Sequence, residues 1–191
     1  QRLLTKIAKI RFKLFYRNKF KNLGGSTFIF RPFRLDGTKN ITLGNKTLFQ
    51  RGTWLYSESI EGIRASLIIG DECIFGYNNH ITAVRNVYIG NHVLTANNVY
   101  ISDNIHAYED IATPVMHQPV KFKKAVSIGD GSWLGENVCI IGASVGKNCV
   151  IGANAVVTKD IPDYSVAVGA PAKVIRQYDL QTNKWIDCKS K

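Results

Sequence analysis

The sequence predicts an all-β chain wound as a parallel β-helix, and three features carry that expectation. Glycine recurs directly after an apolar residue, at Leu43-Gly44, Ile69-Gly70, Phe75-Gly76, Ile89-Gly90, Ile128-Gly129, Leu134-Gly135, Val145-Gly146 and Ile151-Gly152. The apolar residues themselves fall on a period of six: Ile69, Phe75, Ile81; Ile89, Thr95, Ile101; Ile128, Leu134, Ile140; Val145, Ile151, Val157. A small or β-branched residue returns four places later, as at Cys73, Val93, Val99, Ser132, Val138, Cys149 and Ala155. Period two marks alternating strands and 3.6 a helix, and six fits neither. It fits a short strand followed by a tight corner, three of which complete one triangular turn. Gly, Asn and Asp suit such corners because they tolerate conformations that β-branched residues resist. Successive turns then stack at the parallel-strand spacing of about 4.8 Å, each apolar residue above its equivalent. Periodicity alone leaves the hand of the coil open.

The elements follow in order. Leu3, Ile7, Ile10, Leu14 and Phe15 share one helical face, so residues 2–20 are expected to form an amphipathic helix with a basic polar side, within an N-terminal segment 1–25. Residues 26–166 form the coil, with residues 26–60 helping to shape the acceptor side. The 20-residue step from Ile69 to Ile89 calls for a bulge around Val87 and Tyr88, and residues 57–66 break the frame. The largest break, residues 107–125, holds two prolines and should leave the prism as an arm. A long loop ejected from a regular solenoid is often functional. Residues 163–176 read as a turn and a closing strand, and 177–191 as a polar tail or short helix; the C-terminal segment is taken as 167–191.

A length of 191 residues favours one domain, and a hydrophobic content of 45% is enough to bury a core. The net charge of +11 is unevenly placed. Residues 1–23 hold eight basic residues and no acid, which leaves +3 for the other 168. A basic appendage on a nearly neutral body argues against a nucleic-acid-binding domain and suits an anionic membrane surface. Cys73, Cys139, Cys149 and Cys188 show neither a CxxC pair nor zinc-site spacing, so no disulfide framework and no metal is expected. No apolar run reaches the roughly 18 residues of a membrane span, and the N-terminal apolar residues are interrupted by basic ones. The expectation is a cytoplasmic protein, at most peripheral on the inner face of the membrane.

Three stretches carry a resemblance: Ile128-Gly129-Asp130-Gly131-Ser132-Trp133-Leu134-Gly135, then residues 150–162 (VIGANAVVTKDIP), then Gly169-Ala170-Pro171-Ala172-Lys173-Val174-Ile175-Arg176. Together they resemble the C-terminal signature of hexapeptide-repeat acyltransferases, most closely the sugar O-acetyltransferases that include galactoside, maltose and nodulation-factor enzymes. The resemblance covers roughly residues 65–176. It implies a left-handed coil, a homotrimer, and acetyl-CoA bound between neighbouring subunits. It also implies a saccharide acceptor such as a bacterial surface glycan.

Acyl transfer from a thioester to a hydroxyl needs a group that removes the hydroxyl proton near neutral pH, and imidazole is suited to that. His106 follows the last regular unit before the arm, where the resembled family carries its catalytic histidine; Asp103 and Glu109 are candidates to orient it, or else solvated carboxylates. The indole N–H of Trp133 only donates, which suits an oxyanion, as do backbone N–H groups around Gly135 and Ala153. The resemblance places Thr158, Lys159, Lys173 and Arg176 along the CoA site, with Gly135 and Ala153 keeping its wall low. It places Asn79 and His80 near the sugar. The frame stacks His80 with Tyr100 and Cys139, and His106 above Asn86. His92 and His117 are read as structural. No Ser or Cys stands in an activating motif, so transfer is expected to be direct. The alternatives are an N-acetyltransferase of an amino-sugar nucleotide and a non-catalytic β-helical binding module.

Overall fold

The computed structural model describes residues 10–188, and its strands build three sheets around one triangular core. The first face holds Asn22–Leu23, Ile41–Leu43, Ser66–Ile69, Asn86–Ile89 and Val126–Ile128. The second holds Phe28–Ile29, Leu48–Phe49, Ile74–Phe75, Leu94–Thr95, Trp133–Leu134, Val150–Ile151 and Ser165–Val168. The third holds Arg34–Asp36, Trp54–Ser57, His80–Ala83, Tyr100–Ser102, Cys139–Ile141 and Val156–Val157. The chain visits the faces in turn, and neighbours within each of these three sets run parallel.

Period six becomes packing through register. On the first face Leu23, Leu43, Ile69, Ile89 and Ile128 are successive partners, and on the third Leu35, Leu55, Ile81, Ile101, Ile140 and Val157 are. Most of these side chains are completely buried, each removal from water contributing roughly 1.5–3 kcal/mol. On the second face the rings of Phe49 and Phe75 stack with centroids 4.4 Å apart. Thr95 occupies an aliphatic position in that column, and its hydroxyl is used, donating to Asn79 Oδ1 at 3.2 Å.

The corners are held by side chains that repeat with the coil. Asn45, Asp71, Asn91 and Asp130 each accept from a backbone N–H of the preceding turn, at Gly25, Asn45, Asp71 and Asn91 respectively. At another corner Asn78, Asn98, Asn137 and Asn154 all have positive φ, and their amides join head to tail at 3.0–3.3 Å. His92 is also a corner residue with positive φ, its Nδ1 lying 3.7 Å from Glu72. A β-carbon at Gly129 would collide with the backbone of Gly146 and Lys147 in the next turn. Gly129→Ala should therefore lower stability by about 1–3 kcal/mol through overpacking, seen as a lower urea midpoint at unchanged slope.

Several expectations change. The extra residues between Ile69 and Ile89 do not bulge Val87 and Tyr88, which pair regularly with Leu67 and Ile68; the chain absorbs them in the turn at Val84 and Arg85. The coil begins at Asn22, and the second face continues in parallel register as far as Ser165–Val168. The expected C-terminal tail or short helix is instead an antiparallel hairpin, Lys173–Asp179 with Lys184–Asp187, extending the second sheet. At the N-terminus, residues 10–16 are helical; the helix docks through Phe12 and Tyr16, with Phe20 buried just after it, and leaves Ile10, Leu14 and Phe15 exposed. Aromatic packing decides the docked face: Phe12 lies edge-on to Phe28 at 5.6 Å and stacks on Tyr16 at 4.8 Å. Leu3 and Ile7 lie outside the described residues.

Candidate active site

The arm leaves the third face at Ser102, and its base is built from buried polar groups. Asp103 is completely buried. Its carboxylate accepts the backbone N–H groups of Val84, Arg85 and Asn86 at 2.8–2.9 Å, and the Asn104 amide at 3.0 Å. Its own carbonyl accepts from Lys123 N at 2.8 Å. Between these anchors Asn104–His106 pairs antiparallel with Val120–Phe122, matching His106 to Val120. The Arg85 guanidinium lies 4.7 Å from the Phe122 ring centroid and pairs with Glu61 at 2.7 Å, fixing the far strand. The arm is thus a hairpin at its base.

His106 ends the first strand of that hairpin with its side chain exposed. Among the described residues, none hydrogen-bonds or pairs with its imidazole. It does not stack above Asn86, which pairs with Ser66; the hairpin turns the chain out of the coil before such a column forms. Neither expected carboxylate orients the ring. Asp103 is spent on the turn at residues 84–86 and is buried, not solvated. Glu109 pairs with Lys121 at 3.0 Å, and hydrogen bonds from Lys121 and the backbone N–H of Tyr108 hold its carboxyl down at about 2. That pair ties the two limbs of the arm together just beyond His106.

Thr158 and Lys159 follow Val156–Val157, the third-face strand two rungs beyond Tyr100–Ser102. They leave the same edge of the same sheet as the arm, roughly 10 Å along it at the parallel-strand spacing. Val156 N donates to Gly169 O at 2.9 Å and Ala172 N to Val156 O at 2.8 Å, which brings the Gly169–Ala172 loop alongside. Lys173 opens the strand after that loop. Arg176 lies further on, held by Asp187 at 2.8 Å and beside the Trp185 ring. Asp160, next to Lys159, is paired with Lys124 at 2.7 Å, which holds its carboxyl below the usual range.

Gly135 and Ala153 occupy equivalent corners of adjacent turns between the second and third faces. A β-carbon on Gly135 would lie 2.8 Å from Ala153 N, so only glycine keeps this wall so close. Trp133 opens a second-face strand and points outward, half-exposed. One chain therefore puts Trp133 on one face and His106 off another, and does not bring them together.

His80 stacks with Tyr100 and, one rung on, Cys139, as the frame requires. The column also runs the other way: Trp54 lies parallel to His80 at 4.0 Å, and its indole donates to Asp36 at 3.0 Å. Burial lowers the His80 pKa from its ordinary value. Asn79 is buried, its amide donating to Gly76 O and Ala96 O and accepting from Thr95, so it holds a corner and presents nothing to a sugar. Trp54 escaped the sequence reading, though Leu43, Phe49 and Leu55 carry the period-six signal into its turn. Among the described residues no group of three His, Cys, Asp or Glu side chains is placed to hold a metal.

Residues 125–159 match the family described as hexapeptide repeat of succinyl-transferase. A probable acetyltransferase of Mycobacterium tuberculosis is 41% identical over 133 residues, 68% of this chain and 44% of that protein. A putative lipopolysaccharide biosynthesis O-acetyl transferase of Escherichia coli is 36% identical over 113 residues, 56% of this chain and 58% of that one. The chain thus spans about half the length of these curated relatives. Among solved structures, a maltose O-acetyltransferase from Clostridium difficile is 26% identical with a TM-score of 0.57, covering 93% of this chain and 84% of the other. An N-acyltransferase from Bacillus cereus, in complex with dTDP and 3-hydroxybutyryl-CoA, reaches a TM-score of 0.70 at 16% identity, over 95% and 90%; that likeness is one of fold. The repeat match and the three-sided coil carry one conclusion: the chain is a hexapeptide-repeat protein with the left-handed parallel β-helix fold, and the relatives it resembles are named for acetyl transfer.

Proposed function

We propose that this chain transfers an acetyl group from acetyl-CoA to a hydroxyl of a saccharide, a bacterial surface polysaccharide or its precursor, with His106 as general base. The observation that carries the reading is the unpartnered, exposed His106 imidazole on an anchored hairpin, at the sheet edge from which Thr158 and Lys159 also leave. A proton acceptor at neutral pH has to be free of competing hydrogen bonds and held in place. His106 takes the proton of the acceptor hydroxyl, whose oxygen attacks the acetyl carbonyl carbon. The tetrahedral oxyanion is stabilised by preformed donors, the Trp133 indole or backbone N–H groups near Gly135 and Ala153. Its collapse breaks the C–S bond, and the departing thiolate recovers the proton from the imidazolium.

The donor fits the ground between Gly135, Ala153, Thr158 and the loop that ends at Lys173. A glycine-lined wall admits a pantetheine arm closely, and Lys159, Lys173 and Arg176 suit its phosphates. A second copy is needed to join Trp133 to His106, and a trimer with the site between subunits supplies it. An outward apolar strip supports this: Ile74, Leu94 and Trp133 are register partners on the second face, each between 44% and 48% exposed. Apolar strips of this kind mark interfaces. The O-acetyl reading is preferred over N-acylation because relatives above the 25% identity range are named for O-acetyl transfer, whereas the N-acylating neighbour shares only the fold.

Acetyl-CoA thiol release measured with and without oligosaccharides tests the reading. Release that requires a saccharide, with a product 42 Da heavier as acetyl chemistry dictates, is expected. Release only with amino sugars would replace the reading by N-acetylation, and no release with any acceptor would favour a binding module.

A further inference from the structure

The N-terminal end of the prism is chemically unlike the rest of the molecule. The first 35 residues hold ten of the 25 basic side chains and none of the 14 acids, so the remaining chain carries 15 basic against 14 acidic residues. The charge of the protein is concentrated in its N-terminal sequence.

Residues 10–16 lie across this end, seated by Phe12 on Phe28 of the first turn. Among the described residues, the opposite side of the helix has no partner. Ile10, Leu14 and Phe15 are 59%, 79% and 64% exposed. Ile10 and Leu14, one helical turn apart, share a shallow groove with Lys13, Arg17 and Leu23. Among the described residues, no carboxylate pairs with Arg11, Lys13, Arg17 or Lys19. Phe33, 73% exposed on the same first turn, adds another apolar tip.

We infer that this end docks on an anionic lipid bilayer, with Ile10, Leu14 and Phe15 entering the boundary of headgroups and acyl chains while the surrounding Lys and Arg side chains meet lipid phosphates. Two features select this occupant. The unopposed positive charge requires an anionic surface, and cations near such a membrane each add to the attraction. The protruding aliphatic and aromatic tips gain only from an apolar medium beneath the charges, the arrangement of interfacial amphipathic helices. A highly charged polymer such as RNA would satisfy the cations and leave Ile10 and Leu14 in water. No helix among the described residues is long and apolar enough to cross a membrane. The inference stands apart from the acyl-transfer reading, and its test reads no activity.

The full chain is sedimented with phosphatidylcholine vesicles with and without phosphatidylglycerol. Binding at least about ten-fold stronger to the anionic vesicles and weakened by salt is expected. The variant Ile10→Ser/Leu14→Ser should lose most of it while keeping the wild-type thermal melt, since both side chains are exposed. Equal or absent binding to the two vesicle types overturns the proposal, as does a folded variant that still binds like wild type. If the variant instead changes only the size of the oligomer in solution, the face belongs to a second copy and the proposal fails.

Discussion

Replacing His106 by alanine should lower acetyl transfer by about 10²–10⁴-fold, the range a positioned general base contributes. The loss should fall on kcat, with the KM for acetyl-CoA nearly unchanged, because the imidazole acts on the acceptor hydroxyl and its arm leaves the sheet two rungs before Thr158 and Lys159. The fold should not respond. His106 is exposed, no side chain among the described residues bonds it, and its pairing with Val120 is a backbone match that alanine keeps. A melt equal to wild type beside a deep loss of turnover is therefore the expected pair of results. His106→Gln, which keeps a polar group of similar size without a titrating nitrogen, should be as slow. His80→Ala is the informative contrast in stability: its ring is packed between Trp54 and Tyr100, so its removal should lower the melt where His106→Ala does not. If His106→Ala retained wild-type kcat, another group would have to remove the proton and the proposed mechanism would be wrong.

What sequence discloses here is set by how regularly a residue's role repeats. The core columns were legible because Ile69, Ile89 and Ile128 do the same job in successive turns, so a period suffices to find them. Handedness was not, because both hands bury the same column; it came with the resemblance in residues 128–176. The arm was legible as a gap in the period, yet a gap says nothing about what fills it. That Asn104–His106 folds back on Val120–Phe122 depends on a single pairing with no repeat to announce it. Which helix face docks was not legible for a related reason. Ile10 and Leu14 satisfy helical spacing as well as Phe12 and Tyr16 do, and only the Phe28 ring decides which side is buried. Asn79 was drawn toward the sugar by the resemblance, whereas its position four places after Phe75 already made it a repeat residue of the corner. Trp133 and His106 were both singled out, but one chain places them on different faces, which the period alone does not disclose because His106 lies outside the repeat.

Replacing Asp103 by alanine should destabilise the fold more than any other polar substitution near the arm. The carboxylate is completely buried and accepts three backbone N–H groups from residues 84–86, at 2.8–2.9 Å. Hydrogen bonds to a charged acceptor contribute about 1.5–3 kcal/mol each, and leaving a buried donor unsatisfied costs about 1–3 kcal/mol. These overlap and are not additive, and water entering the vacated space would recover part, so a net loss of about 3–5 kcal/mol is expected. Asp103→Asn keeps one acceptor oxygen and sets an amide donor against backbone donors, so it should lose roughly half as much. Urea denaturation gives both values. The two variants also separate stability from positioning. The turn at residues 84–86 is where the coil absorbs its extra residues, and Arg85 reaches from it to Phe122, so loosening Asp103 frees both strands that carry His106. In the folded fraction of Asp103→Asn, amide hydrogen exchange should rise at Asn104–His106 and Val120–Phe122 while the core columns around Ile69 and Ile89 stay protected. The kcat should fall with it, although Asp103 touches no substrate. Unchanged exchange in the hairpin, with turnover intact, would show that Asp103 holds the coil alone and that the hairpin positions His106 without it.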